Sequence, residues 1–192
     1  MKHLLELPPN LPVPVDDGAC DHLEGCDLPS MVLLSTSGLQ VDLSKVQGIA
    51  VIYIYPMIGR PDAPPMTGWN EIPGARGCTP QSCAFRDIHA DFQALDVKVY
   101  GLSAQVYDDQ IEAVARLHLP FELLNDASLA FAQALRLPTF EYNDLQLIKR
   151  LTLVIKDRKI CKVFYPVFPP NENAARVLAW LNLTNNVKSI IS

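Results

Sequence analysis

The stretch Gly77-Cys78-Thr79-Pro80-Gln81-Ser82-Cys83-Ala84-Phe85-Arg86-Asp87 carries two of the five cysteines in this chain of 192 residues. Apolar residues at helical spacing run through and beyond it, at Phe85, Ile88, Phe92 and Leu95, and predict a helix over about residues 79–95. Cys78 then lies where the helix starts, beside backbone N–H groups without partners and the positive end of the helix dipole. Both features favour the thiolate, which is the nucleophilic form of cysteine.

The second cysteine of the stretch, Cys83, is close in sequence but distant on the helix surface. At about 100° per residue, Cys78 shares the core-facing side of Phe85, whereas Cys83 lies on roughly the opposite face. Five residues of helix separate two Cα atoms by about 8.7 Å, while a disulfide needs them within about 7 Å. The two thiols can therefore pair only if the first turns of the helix unwind.

Composition indicates an ordinary soluble globular protein. The apolar fraction is 49%, the charged fraction is 19% and the net charge is −5. This balance, without a dense run of Lys or Arg, argues against a nucleic-acid partner. No apolar stretch approaches the roughly 20 residues that cross a bilayer, and the first residues lack the apolar segment of a secretory signal. We therefore expect a cytoplasmic protein with no membrane partner, whose odd number of cysteines does not form a closed disulfide framework.

The order of apolar segments predicts an α/β fold. Residues 1–30 are expected to form a proline-rich N-terminal extension packed on a domain of residues 31–192. The continuous apolar run at residues 49–55 is typical of a strand covered on both faces, and Pro56 ends it. Further strands are predicted at residues 97–102, 121–124, 151–155 and 160–165, and helices at residues 107–117, 129–135 and about 174–181.

The stretch that opens this section is similar to GCTxQxCxFRD, the signature of the bacterioferritin-comigratory-protein (Q-type) peroxiredoxins in the thioredoxin-like AhpC/TSA superfamily. The resemblance continues less sharply over about residues 47–181. It implies a thioredoxin-like fold, with a central mixed β-sheet flanked by helices. It also implies a thiol peroxidase without metal or cofactor, which reduces hydrogen peroxide or organic hydroperoxides.

The resemblance also implies a role for each residue of the site. Cys78 is then the peroxidatic nucleophile and Cys83 the resolving thiol, and a thioredoxin-like or other dithiol protein restores both. Arg150 immediately precedes an apolar strand, as an arginine of the family does. In the family this guanidinium contacts the thiolate and the peroxide, which stabilises charge on both.

One segment departs from the family pattern. The family generally carries Pro-x-x-x-Thr/Ser-x-x-Cys, and the hydroxyl of that motif helps to orient the peroxide. Here Ala75 stands three residues before Cys78, and Pro56 lies 22 residues upstream of it, so residues 57–76 resemble an insertion. Thr79 and Arg76 are the groups we consider as substitutes that orient the substrate.

Several alternatives stay open on the sequence alone. The two cysteines of the motif also suit a thiol-disulfide oxidoreductase or redox sensor with little peroxidase activity. Cys20, His22, Cys26 and Cys78 could bind zinc together. Otherwise Cys20 and Cys26 are incidental thiols, or pair with each other, or offer an alternative resolving thiol. Cys161 lies in an apolar strand and is expected to be at least half-buried, and either a monomer or a homodimer is compatible with an intramolecular resolving cysteine.

Overall fold

The computed structural model describes residues 2–63 and 66–191 of the chain. Within them, seven strands form one mixed sheet in the order β2-β1-β5-β4-β3-β8-β9, and β6 and β7 form a separate hairpin. The strands are β1 (Val32–Ser35), β2 (Gln40–Asp42), β3 (Ile49–Ile54), β4 (Val97–Ser103), β5 (Leu123–Asn125), β6 (Thr139–Tyr142), β7 (Leu145–Ile148), β8 (Leu151–Lys156) and β9 (Lys159–Phe164). The helices are α1 (Lys2–Leu5), α2 (Cys78–Asp87), α3 (His89–Ala94), α4 (Tyr107–Leu117), α5 (Ala130–Ala134) and α6 (Asn173–Ile191).

The sheet separates two hydrophobic cores, and alternate residues of β3 face one or the other. Ala50, Ile52 and Ile54 pack into a core that α5 and residues 20–28 cover. Val51 and Tyr53 pack into the opposite core, which α2, α4 and α6 cover. The strand β3 is buried on both faces and runs parallel to β4. Both of its faces therefore need apolar side chains, which explains its continuous apolar sequence. The expected α/β class, with a central mixed sheet flanked by helices, is confirmed.

The helix predicted over residues 79–95 is in fact two helices, so that prediction is wrong in detail. Ile88 separates α2 from α3 with φ −114° and ψ 20°, outside the helical region. In an unbroken helix, Phe85 and Phe92 would lie about 10 Å apart along the axis. The break allows their rings to stack with centroids 5.7 Å apart, which adds a buried aromatic pair to the core beneath the site.

The N-terminal residues lie against the rest of the chain at several points. The Asp17 carboxylate accepts hydrogen bonds from Lys149 Nζ and from the Tyr165 hydroxyl, each at 2.8 Å, and these contacts lower the pKa of Asp17 to about 2. Leu23 and Leu28 are buried in the core beside β1 and β3. The expected division of the chain at residue 30 remains a prediction. Among the helices of the described residues, none is long and apolar enough to span a membrane.

Candidate active site

Cys78 is the first residue of α2, and Gly77 before it determines how the chain enters the helix. Gly77 has φ +106°, a left-handed conformation that side chains other than glycine rarely adopt. A Cβ atom at this position would lie 2.3 Å from Cγ of Pro170 and 2.9 Å from Cδ2 of Leu7. Glycine is therefore required both for the backbone conformation and for close packing. The Cys78 side chain is only 3% exposed.

Arg150, between β7 and β8, contacts the sulfur of Cys78 although 72 positions separate the two residues. Its Nη2 donates to Cys78 Sγ at 3.1 Å, and the arginine is itself 3% exposed. A guanidinium keeps its charge under all ordinary conditions and is not screened by water at this depth. The arrangement thus stabilises negative charge on the sulfur.

Other contacts hold the Arg150 guanidinium in one orientation. Its Nε donates to the carbonyl oxygen of Gly74 at 3.1 Å, and its Nη2 donates to the carbonyl oxygens of Ala75 at 2.9 Å and Arg76 at 3.2 Å. Its Nη1 donates to Oε1 of Gln81. The turn before α2 therefore folds around the arginine, which fixes both the guanidinium and the start of the helix.

Gln81 extends this network to the far end of the chain. Its Nε2 donates to Oδ1 of Asn173 at 2.9 Å, and the hydroxyl of Thr152 donates to the same oxygen at 2.7 Å. All three side chains are at most 1% exposed. Sequence reasoning did not assign roles to Gln81 and Asn173. Gln81 occupies the glutamine position of the motif, which was a usable signal, whereas no pattern marks Asn173.

Ala75 stands where the family has a hydroxyl, and its carbonyl group faces the site instead. The Cys78 thiol donates to this carbonyl oxygen at 3.6 Å, and Arg150 donates to it as well. The methyl group of Ala75 packs with Trp69, Tyr142 and Leu147 in a third, smaller core. The described residues of this loop thus pack on the β6–β7 hairpin, and position 75 presents a backbone acceptor to the site.

Thr79 and Arg76, the two candidates for orienting a substrate, both line a small cavity against Cys78. The cavity has a volume of about 10 Å³, and Thr79 is 3% exposed. Burial lowers the pKa of the Arg76 guanidinium, while the neighbouring Cys78 opposes this effect. Arg76 also donates to the carbonyl oxygen of Glu6 at 3.5 Å. Both side chains therefore lie within the site. The hydrogen bond to the sulfur of Cys78, however, comes from Arg150.

Cys83 is buried as well, although helix geometry places it on the other side of α2. It is 8% exposed and packs into the same core as Phe85, because α2 is covered on nearly all sides. Burial raises the pKa of the Cys83 thiol, and the nearby positive charge of Arg86 opposes that shift. Cys83 is a free thiol here, as is Cys78.

The remaining cysteines are not brought to the site. Cys20 is buried, and its burial, together with the acidic residues around it, raises the pKa of its thiol to about 12. Cys26 donates to the carbonyl oxygen of His22 at 3.0 Å, and Nε2 of His22 contacts the carbonyl oxygen of Leu135 at 2.9 Å. Within residues 2–63 and 66–191, no three Cys, His, Asp or Glu residues are grouped to hold a metal ion, so the zinc set is not assembled. Cys161 is exposed, which contradicts its expected burial.

A buried cysteine at a helix N-terminus, in contact with a buried arginine, is suited to thiol-based redox chemistry. Comparison with known proteins agrees. The redoxin family profile matches residues 23–178. Chloroplastic peroxiredoxin Q of rice (Oryza sativa subsp. japonica) is 34% identical over 104 residues, which cover 54% of this chain and 41% of that protein. Peroxiredoxin Bcp of Bacillus subtilis (strain 168) is 31% identical over 111 residues, which cover 57% of this chain and 61% of that protein.

Solved structures show the same fold. The bacterioferritin comigratory protein of Xanthomonas campestris superposes with a TM-score of 0.65 and 22% identity, over 85% of this chain and 98% of that one. The chain belongs to the redoxin family. It spans about two fifths of the length of the rice relative.

Proposed function

We propose that this protein is a thiol-dependent peroxidase that uses Cys78 to reduce hydrogen peroxide or organic hydroperoxides. The observation that carries the proposal is the 3.1 Å contact from Arg150 Nη2 to Cys78 Sγ inside a buried site. The family supports it, since the curated relatives are named peroxiredoxins. The structural relative from Xanthomonas campestris is described as having alkyl peroxide reduction activity.

In the first step, the Cys78 thiolate attacks one oxygen of the peroxide. The S–O bond forms as the O–O bond breaks, so that sulfur is oxidised to sulfenic acid and the leaving oxygen departs as water or an alcohol after protonation. Negative charge develops on the leaving oxygen, and the Arg150 guanidinium is already fixed beside the sulfur to stabilise it. Thr79 and Arg76 line the space that the peroxide would occupy.

In the second step, Cys83 attacks the sulfenic sulfur of Cys78, and water leaves as the disulfide forms. Both cysteines lie in α2, where an ideal helix keeps their Cα atoms about 8.7 Å apart. Since a disulfide needs about 7 Å or less, the first turns of α2 must unwind before the bond can form. Unwinding also exposes Cys83, whose burial otherwise disfavours its thiolate.

A dithiol protein of the thioredoxin type then reduces the disulfide and releases both thiols. The family supports this class of reductant. A cytoplasmic location and a monomeric or homodimeric state remain predictions of the sequence. They are tested by cell fractionation and by light scattering of the reduced and oxidised forms.

A thiol-disulfide oxidoreductase or redox sensor is the second candidate. Ala75 favours it, because this position supplies a carbonyl oxygen where relatives have a hydroxyl that orients the peroxide. The two functions differ in turnover. A sensor consumes one equivalent of peroxide and stops, whereas a peroxidase continues for as long as a reductant is supplied.

A coupled assay with thioredoxin, thioredoxin reductase and NADPH tests the proposal. We expect continuous peroxide-dependent NADPH oxidation by the wild type and none by Cys78→Ser. Cys161→Ser is the matched control, because Cys161 is exposed and remote from the site, and its turnover should equal that of the wild type. Turnover retained in Cys78→Ser would contradict the proposal, and a single equivalent consumed by the wild type would favour the sensor.

A further inference from the structure

A much larger groove lies beside the small cavity at Cys78. The groove has a volume of about 590 Å³, compared with about 10 Å³ for the cavity. The two spaces share six lining residues: Leu4, Met57, Gly59, Met66, Trp69 and Arg76. A cavity of about 10–15 Å³ holds one water-sized group. The space against the sulfur therefore suits a peroxide oxygen, and the groove is where the rest of a larger substrate would lie.

The walls of the groove come largely from two segments, one before the redoxin match and one between β3 and α2. Leu4 and Leu7, with the two prolines that follow, come from residues that precede the redoxin match, which begins at residue 23. Met66 and Trp69 come from residues 57–76, which resemble an insertion in the family pattern. Trp69 is held by edge-to-face contact with Tyr142, with ring centroids 4.9 Å apart. Both walls thus come from segments outside the GCTxQxCxFRD motif.

The charges along the groove do not select for a charged substrate. Among its described lining residues, Arg60 and Arg76 balance Glu6 and Asp109. Arg60 is engaged by Asp62 at 3.0 Å and by Asp109 at 3.2 Å, so a substrate carboxylate would have to displace these ion pairs. The remaining lining is mostly apolar. The lining therefore matches an apolar, uncharged group better than a carboxylate.

We propose that this groove binds the organic substituent of an apolar, uncharged hydroperoxide, and that its lining residues within 4–9, 57–63 and 66–70 set this substrate preference. The inference rests on the proposed peroxidase function. The Cys78 thiolate attacks the terminal oxygen of the hydroperoxide, the O–O bond breaks, and the substituent leaves as an alcohol after protonation of its oxygen. Sulfur is oxidised to sulfenic acid and the hydroperoxide is reduced. Hydrogen peroxide passes through the same groove without occupying it.

The test compares the rates at which three peroxides oxidise the fully reduced, full-length protein. The peroxides are hydrogen peroxide, cumene hydroperoxide as the apolar uncharged substrate, and linoleic acid hydroperoxide as the carboxylate-bearing one. We expect cumene hydroperoxide to react at least about 10-fold faster than the other two, in line with the discrimination that an apolar pocket provides. A rate for hydrogen peroxide or for the carboxylate equal to that for cumene hydroperoxide would overturn the inference.

Two variants locate the preference in the groove. Leu7→Asn and Met66→Asn each replace an apolar side chain of one wall by a smaller polar one. Each should lower the ratio of the cumene hydroperoxide rate to the hydrogen peroxide rate by about 10-fold. Leu5→Asn is the matched control, because Leu5 is 43% exposed and does not line the groove, and it should leave the ratio unchanged.

The outcomes separate this inference from the proposed function. Rates for all peroxides that fall by the same factor in Leu7→Asn and Met66→Asn would overturn the inference, because the residues would then support only the geometry of Cys78. An unchanged ratio in both folded variants would overturn it as well. Failure of the wild type to react with any peroxide would instead remove the proposed function itself. Thermal unfolding of each variant confirms that it is folded.

Discussion

Arg150 donates a hydrogen bond directly to the sulfur of Cys78. The guanidinium contacts the sulfur and three carbonyl oxygens at once, a set of contacts that a lysine ammonium cannot reproduce. We expect Arg150→Lys to slow oxidation of Cys78 by about 100-fold, as expected for loss of an oriented charge-stabilising donor. Stopped-flow fluorescence of the reduced protein mixed with peroxide measures the rate.

The matched control for this change is Arg176→Lys. Arg176 is exposed on α6 and pairs with Glu172, so its replacement should leave the rate unaltered. A rate for Arg150→Lys within twofold of the wild type would show that charge alone, without the orientation of the guanidinium, activates Cys78.

Gly77 is the residue that sets the position of Cys78 at the start of α2. In Gly77→Ala, the added methyl group would strain the left-handed backbone and press against Pro170 and Leu7. We expect this substitution to lower the free energy of unfolding by about 2–4 kcal/mol. Gly38→Ala is the control, because Gly38 has φ +81° and no atom within 4 Å of the added Cβ. Chemical denaturation measures both variants. Equal losses in the two would mean that contact with Leu7 and Pro170 carries no cost.

Among single residues, the sequence predicted the two that meet at the sulfur, Cys78 and Arg150. It did not predict the hydrogen-bond network behind them, which runs through Gln81 to Asn173. Cys78 could be identified from the family motif at a helix start, and Arg150 from its resemblance to a family arginine that precedes an apolar strand. Asn173 could not, because it reaches Gln81 only through the packing of α6 on α2. The role of the Ala75 carbonyl oxygen could not be predicted either, because its direction depends on the backbone conformation of the preceding loop.

Among the elements, α2 has two requirements under the proposed mechanism: it must hold Cys78 in place in the reduced protein, and its first turns must open before the disulfide forms. Burial raises the pKa of Cys83 in the packed helix, so this thiol stays protonated there, whereas in the unfolded chain it ionises near its ordinary value of 9.0. Above pH 9 the unfolded state therefore binds fewer protons than the folded state, and stability falls as pH rises. The reduced wild type should lose stability between pH 8 and 10 more steeply than Cys83→Ser.

Urea denaturation of both proteins at several pH values, under reducing conditions, checks this prediction. The comparison with Cys83→Ser removes the contributions of other buried groups that titrate at high pH, such as Tyr53. Parallel curves for the two proteins would contradict the assignment of the pH dependence to Cys83.

The elements themselves were predictable in proportion to their length. The helix expected at residues 107–117 coincides with α4, and the strand expected at residues 49–55 ends one residue early in β3. The β1–β2 and β6–β7 hairpins were missed because their strands have only three or four residues, too few for alternation to be recognised. The break at Ile88 reflects tertiary packing of the aromatic rings, which helical periodicity does not report.

Across the whole molecule, the loop before α2 is joined to the β6–β7 hairpin by a small third core, to which Met57, Met66, Trp69, Ile72 and Ala75 contribute. The Tyr142 hydroxyl donates to the carbonyl oxygen of Thr67 at 3.0 Å and ties the loop to the β6–β7 hairpin. We expect Tyr142→Phe to cost about 1 kcal/mol of stability and to speed hydrogen exchange in residues 66–72. Tyr107→Phe, which removes a similar bond to Ser35 elsewhere, should leave exchange in that loop unchanged. Equal exchange in the two variants would contradict the anchoring role.

The roles proposed for Cys78 and Cys83, as peroxidatic and resolving cysteines, involve both redox states of the molecule. The most direct test mixes fully reduced protein with one equivalent of hydrogen peroxide and maps disulfides by peptide mass spectrometry. We expect a rapidly formed Cys78–Cys83 bridge, which requires the first turns of α2 to unwind. A Cys78 thiol that stays reduced would contradict the claim, and a bridge from Cys78 to Cys20 or Cys26 would contradict the role of Cys83.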